Sequence, residues 1–322
     1  MVKILGLSGG SPNGTNDAMA REALMGAKEA GAEIEFTHLL NLNIKPCIGC
    51  VNCVTGPDGI MNGGSGKCVL KDDLAWLEDK YYDADGLIFV LPVFEKGIPG
   101  FFKCIQDRLS GPGHDIGMLM VARNIRQERG ITTGTGPDPR AFKKRMASFI
   151  SIGGSDWVCK ASSDLNLFAL TPMLTVIDDV TFSWAKSLMM DDKRIAKVHQ
   201  IGIDIARAAQ DPDNAGFRGD PGICPNCHSR TMHLGDDSRQ VECLVCGIIG
   251  ELVIRDHKIK LEIKPEQLER AHNTIPGKLK HVQDIGKIEG QFMQDKNLPE
   301  YQARIQKYKS FIKSSAPNKP MK

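Results

Sequence analysis

The chain has no long hydrophobic run. Its longest apolar stretch, Leu87 to Phe94, is strand length and far short of the ~20 residues a helix needs to cross a bilayer. The first residues, MVKILGLSGGS, break into Gly and Ser too soon for a secretory signal, so a cytoplasmic protein with no membrane contact is expected. Aromatic residues are scarce at 6%, and no motif or aromatic interleaving of the kind that stacks nucleobases is visible. Charge of one sign is also lacking. Lys and Arg total 41 against 39 Asp and Glu, and a net +2 does not argue for a nucleic-acid partner. The surplus sits late: residues 255–322 carry 15 basic and 8 acidic side chains, which reads as a solvated or subunit-wrapping helix.

Cysteine, in contrast, is plentiful. There are 10, and in a reducing compartment clustered cysteines are metal ligands or redox groups rather than disulfides. Eight form two clusters: Cys47, Cys50, Cys53 and Cys68, then Cys224, Cys227, Cys243 and Cys246. Cys104 and Cys159 stand alone and are expected to be buried core thiols.

Short apolar runs alternate with helical patterns over the first two thirds of the chain. Val2–Leu7, Glu33–His38, Gly86–Leu91, Met146–Ile152 and Leu174–Phe182 read as strands. Between them, helices are predicted from about Asp17 to Ala30, Asp72 to Tyr82, Phe101 to Leu109 and Ala161 to Leu170, with a long one from Asp191 to Gln210. This alternation predicts an α/β fold, a doubly wound parallel five-stranded sheet covered on both faces. Ser110–Phe142 reads as irregular. Asp211–Pro221 reads as a linker. The division follows as 1–212 for the sheet domain, 221–262 for a small β-rich four-cysteine module, and 263–322 for a polar, helical tail.

The first strand runs into Ser8-Gly-Gly-Ser-Pro-Asn-Gly-Thr-Asn16 and then a helix. Such a loop offers backbone N–H groups, hydroxyls and a helix dipole to an anion. In a flavodoxin-like arrangement the anion is the FMN phosphate, near the point where strand order reverses. A plain strand-to-helix turn is the other reading of the loop taken alone. The loop is not GxGxxG, which disfavours a dinucleotide site.

Ser11-Pro12-Asn13-Gly14-Thr15-Asn16 resembles the phosphate loop of the NADPH-dependent FMN reductase family. Pro92-Val93-Phe94 with Gly97, Phe101-Phe102-Lys103 and Asp107-Arg108 resembles that family's segment beside the isoalloxazine ring. The strand ending in Gly153-Gly154-Ser155 resembles its third flavin loop. The resemblance covers about residues 1–210. It implies that Ser11, Asn13, Thr15 and Asn16 hold the phosphate, and that Pro92, Val93, Phe94, Gly97, Gly153, Gly154 and Ser155 line the ring. Phe94 stands where the family commonly has Tyr, and Asn13 where it has a basic residue.

Cys47-x2-Cys50-x2-Cys53-x14-Cys68 resembles the iron–sulfur flavoprotein branch of the same family, which implies a [4Fe–4S] cluster on these four thiolates. The last gap of 14 residues is longer than in that branch, and a loop of free thiols is the alternative. Cys224-x2-Cys227-x15-Cys243-x2-Cys246 has the spacing of a tetrahedral S4 site, as in a zinc ribbon or a rubredoxin-like iron site. Zinc is favoured because the knuckles lack an aromatic shell. His228 and His233 are read as surface or supporting residues. In the 110–142 insert, His114, Asp115, Arg123, Arg126 and Arg129 read as a lid or subunit-contact arm with a solvated basic face.

Together these readings predict an FMN-dependent NAD(P)H oxidoreductase that passes electrons from reduced nicotinamide to a small acceptor or a redox protein. An electron carrier without its own substrate, or a redox-sensing module that docks a partner through the ribbon, are the alternatives. The resemblance implies a homodimer or homotetramer.

Overall fold

The computed structural model describes residues 1–235 and 239–315. Five strands, β1 (Lys3–Ser8), β2 (Glu33–His38), β3 (Gly86–Pro92), β4 (Met146–Ile152) and β5 (Thr175–Phe182), form one parallel sheet in the order β2-β1-β3-β4-β5. β3, GLIFVLP, is buried over its first six residues, as a strand covered on both faces must be. Helices α1 (Thr15–Glu29) and α7 (Asp192–Gln210) cover one face. Their apolar stripes meet Ile4, Ile88, Val90, Met146 and Ile150 from the strands. On the other face lie α2 (Asn52–Thr55), a single turn, then α3 (Leu74–Asp83), α4 (Gly100–Leu109), α5 (Ile116–Glu128) and α6 (Ala161–Leu170). There Phe89 of β3 meets Phe168 at 5.1 Å and Phe102 at 5.6 Å, both edge-on. Each of these fully buried rings contributes on the order of 1.5–3 kcal/mol.

One element and the two lone cysteines depart from the sequence reading. The insert is not irregular: Asp115 accepts a hydrogen bond from the Met118 N–H and starts α5, which buries Ile116, Met118, Leu119 and Ala122. Its basic face is not fully solvated either. Arg126 donates to the carbonyls of Gly63, Thr133 and Gly134, and Arg123 lies over the Phe142 ring at 4.6 Å. His114 and Asp115 are buried, paired with Glu78 at 2.8 Å and Lys278 at 2.6 Å. Of the two lone cysteines, Cys159 is exposed and Cys104 half-buried, so neither is a core thiol.

Beyond the sheet, β6 (Met232–Leu234), β7 (Gln240–Cys243), β8 (Ile249–Arg255) and β9 (Lys258–Ile263) form an antiparallel sheet in sequential order. α8 (Gln267–Arg270), α9 (Ile275–Asp295) and α10 (Pro299–Phe311) follow. The chain divides into two compact units, residues 1–278 and Leu279 onward. The second unit holds most of α9 together with α10, where Phe292 meets Tyr301 edge-on at 6.2 Å. Among the described residues, no helix is long and apolar enough to cross a membrane.

Candidate active site and metal centres

At the carboxyl end of β1, the switch point of the strand order, Ser11, Pro12, Asn13 and Gly14 form a turn closed by Gly14 N–H donating to the Ser11 carbonyl at 2.9 Å. Gly10 (φ +103°) and Asn13 (φ 56°) take the left-handed conformation that the turn demands. α1 begins with no side-chain cap, so its first N–H groups are open to an anion. Asn16 is buried, and its Nδ2 has no hydrogen-bond partner. A buried orphan donor costs about 1–3 kcal/mol, so a phosphate beside it fits the donor set.

Three further residues complete this corner, and sequence reading did not single them out. Asp17 is 2% exposed, takes a hydrogen bond from Ser8 at 2.6 Å, and pairs with His38 Nδ1 at 2.8 Å. Its other oxygen accepts the Asn13 N–H at 2.7 Å. Burial pushes the Asp17 carboxyl up, but the bonds from Ser8, His38 and Asn13 outweigh it and hold the group below the usual carboxylate range. Asp17 therefore fixes the loop's shape. Arg21, one turn further along α1, donates to the Asn13 Oδ1 at 3.3 Å and lies over Phe36. It brings a cation to the place where Asn13 itself lacks one.

The loops after β3, β4 and β5 meet at the same edge of the sheet. Phe94 and Gly97 exchange backbone hydrogen bonds at 3.1 and 3.0 Å. The turn between them puts both Glu95 (φ 47°) and Lys96 (φ 69°) in the left-handed region. Two adjacent non-glycine residues held there persist only because the surroundings over-determine them, and such strain clusters at functional sites. A Cβ on Gly97 would stand 2.6 Å from Asp164 Oδ2, so glycine lets the turn seat against α6. Gly153 N–H donates to the Phe182 carbonyl at 2.8 Å, and Trp184 N–H donates to that of Ser155 at 3.3 Å. These bonds tie the Gly153–Ser155 loop to the end of β5. Gly154 is exposed and Ser155 half-buried, while Pro92 and Val93 are half-buried. Phe94, Trp157 and Trp184 are 58%, 60% and 67% exposed, one on each of the three loops.

The four N-terminal cysteines line one cavity of about 110 Å³, with Gly66, Arg108 and Gly113 in its walls. The long gap before Cys68 does not carry it away. Residues 56–66 fold back on themselves through Asp58, which accepts from the N–H of Ser65 at 3.0 Å and whose carbonyl accepts that of Gly66. Ile60 is buried beneath them. Gly113 sits against this loop: its Cβ would meet the Gly66 carbonyl oxygen at 2.2 Å. Burial, with the neighbouring Cys68, Cys50 and Cys47, pushes the Cys53 thiol up. Four cysteine sulfurs around one cavity are the donor set that an iron–sulfur centre takes. Arg108, which resembled a flavin-side residue, turns instead into this cavity and donates to Cys68 Sγ at 3.3 Å.

In the small sheet, the sulfurs of Cys224, Cys227, Cys243 and Cys246 all lie within 4.8 Å of one another. Cys224 and Cys246 are 3.6 Å apart, and Cys227 and Cys243 3.5 Å apart. Sulfurs ~2.3 Å from a shared tetrahedral ion would be separated by little more than this, so the quartet fits a metal. The Cys227 N–H points at Cys224 Sγ at 3.5 Å, and Gly247 (φ +74°) turns the second knuckle. His228 is no ligand here. It stacks on Phe217 at 4.2 Å, and His233 is exposed on β6.

A switch-point anion loop, three converging loops and the sheet order define a flavin-dependent oxidoreductase of the α/β class. The chain belongs to the NADPH-dependent FMN reductase family, whose pattern it matches over residues 2–187. A solved flavone reductase is 43% identical, with a TM-score of 0.86 over 98% of this chain and 100% of that one. Flavone synthase cfoJ of Aspergillus candidus is 27% identical over 310 residues, 88% of each chain. An iron–sulfur flavoprotein of Methanocaldococcus jannaschii is 35% identical over 108 residues, 33% of this chain. The match covers 51% of that relative's length. The family resemblance read from the three loops is thereby borne out.

Proposed function

We propose that this protein oxidises a reduced nicotinamide through FMN and reduces a planar aromatic acceptor of the flavone type, at the carbon–carbon double bond conjugated to its carbonyl. The observation that carries this is the set of three exposed aromatic side chains, Phe94, Trp157 and Trp184, one on each loop that would border the ring. Exposed Trp rings offer apolar faces that a flat aromatic acceptor can cover, and one face of Trp157 already carries the Lys96 ammonium at 4.9 Å. Full-length similarity to a flavone reductase at 43% identity supports the same substrate class.

FMN, when bound, supplies the hydride acceptor and donor. The chain's own residues bind and orient it. Ser11, Asn13, Thr15 and Asn16, with Arg21 alongside, hold the phosphate. Pro92, Val93, Phe94, Gly97, Gly153, Gly154 and Ser155 border the ring. We further propose a [4Fe–4S] cluster on Cys47, Cys50, Cys53 and Cys68, zinc on the ribbon quartet, and a homodimeric or homotetrameric assembly with the protein in the cytoplasm.

The test begins with protein purified without oxygen, on which flavin, iron, acid-labile sulfide and zinc are counted. FMN with about four iron, four sulfide and one zinc is expected. The reduced protein, prepared with NADH or NADPH, is then mixed with a flavone. Reoxidation of the flavin with formation of the dihydro product supports the assignment. Reoxidation by a one-electron redox protein but not by any flavone would replace it with the electron-carrier reading.

A further inference from the structure

Arg108 is an uncommon residue for its position. Its side chain is 1% exposed, and that of its partner Asp72 is 0% exposed. Every one of its five N–H donors has an acceptor. Nη1 reaches the Lys45 carbonyl at 3.0 Å and Asp72 Oδ2 at 2.5 Å. Nη2 reaches Asp72 Oδ1 at 3.1 Å and the Leu70 carbonyl at 3.5 Å. Nε is left for Cys68 Sγ at 3.3 Å. Lys45 precedes the first three cysteines and Leu70 follows the fourth, so one guanidinium joins both ends of the cysteine loop.

A structural staple alone would not need sulfur as its fifth acceptor. An N–H aimed at a ligand sulfur, backed by a desolvated positive charge, stabilises the form of an iron–sulfur centre that carries one more electron. Hydrogen bonds to sulfur, net charge and solvent exposure are among the levers that set such a centre's potential. Asp72 works against Arg108. Its carboxylate lies on the far side of the same guanidinium, and its remaining contacts are the N–H groups of Lys45 at 2.8 Å and Leu74 at 3.1 Å. The two therefore form a neutral pair whose positive end faces the sulfur.

We propose that Arg108 and Asp72 act as an opposed pair of positioning residues that set the reduction potential of the centre on Cys47, Cys50, Cys53 and Cys68. This rests on the cluster assigned to those cysteines above. Removing Arg108 leaves a bare carboxylate near the centre and drives the potential down. Neutralising Asp72 leaves an uncompensated guanidinium and drives it up. A purely structural role would damage both variants in the same sense.

The experiment is a dye-mediated redox titration of the anaerobically purified full chain, following the reduced centre by electron paramagnetic resonance. Iron and sulfide are counted on every sample. R108Q is expected to shift the midpoint to more negative values by tenfold or more in the oxidised-to-reduced ratio at fixed poise, which is 59 mV for a one-electron couple. D72N is expected to shift it to more positive values, and R108K, which keeps the charge but not the fork, to fall between wild type and R108Q. Should R108Q not fold, D72N and R108K still give the sign. A loaded centre with unchanged potentials in these variants, or D72N moving the same way as R108Q, would overturn the proposal. Wild-type protein free of iron and sulfide would instead remove the cluster assignment, and the proposal with it.

Discussion

His199 sits between two carboxylates, with Nδ1 2.7 Å from Glu22 and Nε2 2.9 Å from Glu29. Hydrogen bonds to Glu29 and Glu22 raise its pKa above the ordinary value. A group whose folded pKa is raised stabilises the fold fully below its unfolded value, about 6.5, and loses that contribution as pH rises through the folded value. The site is mostly solvated, so screening limits the gain to at most about 1 kcal/mol. His199→Gln should therefore lower the thermal midpoint at pH 6 and leave it unchanged at pH 9. Equal losses at both pH values would show that packing, not charge, is at stake. At this scale the sequence was legible where residue type and spacing carry the chemistry: the ribbon cysteines are 3.5 and 3.6 Å apart, as their knuckle spacing requires. It was silent on Asp17 and His38, and it placed Arg108 beside the flavin ring rather than against Cys68. Each is an ordinary polar residue whose meaning depends on a partner many positions away, 21 residues for Asp17–His38 and 40 for Arg108–Cys68.

α1 and α7 pack through two glycines. A Cβ on Gly202 would stand 1.7 Å from the Ala23 carbonyl oxygen, and one on Gly26 would stand 2.1 Å from that of His199. Helix propensity alone would make Gly202→Ala stabilising by about 1 kcal/mol. The backbone clash has the opposite sign and is larger, because neither helix can retreat without opening the core that Ile201 and Ile205 fill. A net loss of about 1–3 kcal/mol is expected from the urea midpoint, at constant slope. A stabilised variant would mean that the helices separate more freely than this contact allows. The strands and most helices could be read from the sequence because burial on both faces leaves long apolar runs. α5 could not, because Gly and Pro clusters flank it and its core face is short, Ile116, Met118, Leu119 and Ala122. The loop between Cys53 and Cys68 was also opaque. Its return depends on Asp58 bonding to Ser65, a pairing no periodicity reveals.

On the scale of the molecule, α6 connects the two chemistries. Ser163 bonds to Thr231 of the ribbon at 2.6 Å, and Leu170 packs against the ribbon core. The next residue, Asp164, accepts the Ile98 N–H at 3.3 Å and the Lys160 ammonium at 3.0 Å, and so seats the Phe94–Gly97 turn. The ribbon cannot hold itself. Among the described residues, its buried core is Val241, Val245, Ile248, Leu261 and Ala271 around three of the cysteines, with Ile223, Met232 and Ile263 partly buried against it. So few apolar side chains fall short of folding a module this small without metal. Removing the metal proposed for the quartet, by chelation or by Cys227→Ser, should therefore expose the amides of β7 and β8 to hydrogen exchange. Protection should also fall at the N-terminal turn of α6 and in residues 94–98, while β1 and β3 keep theirs. FMN affinity should drop severalfold as the wall beside the ring loosens. Loss of protection confined to the ribbon, with flavin binding unchanged, would show that α6 needs no support from it and that the two sites are independent.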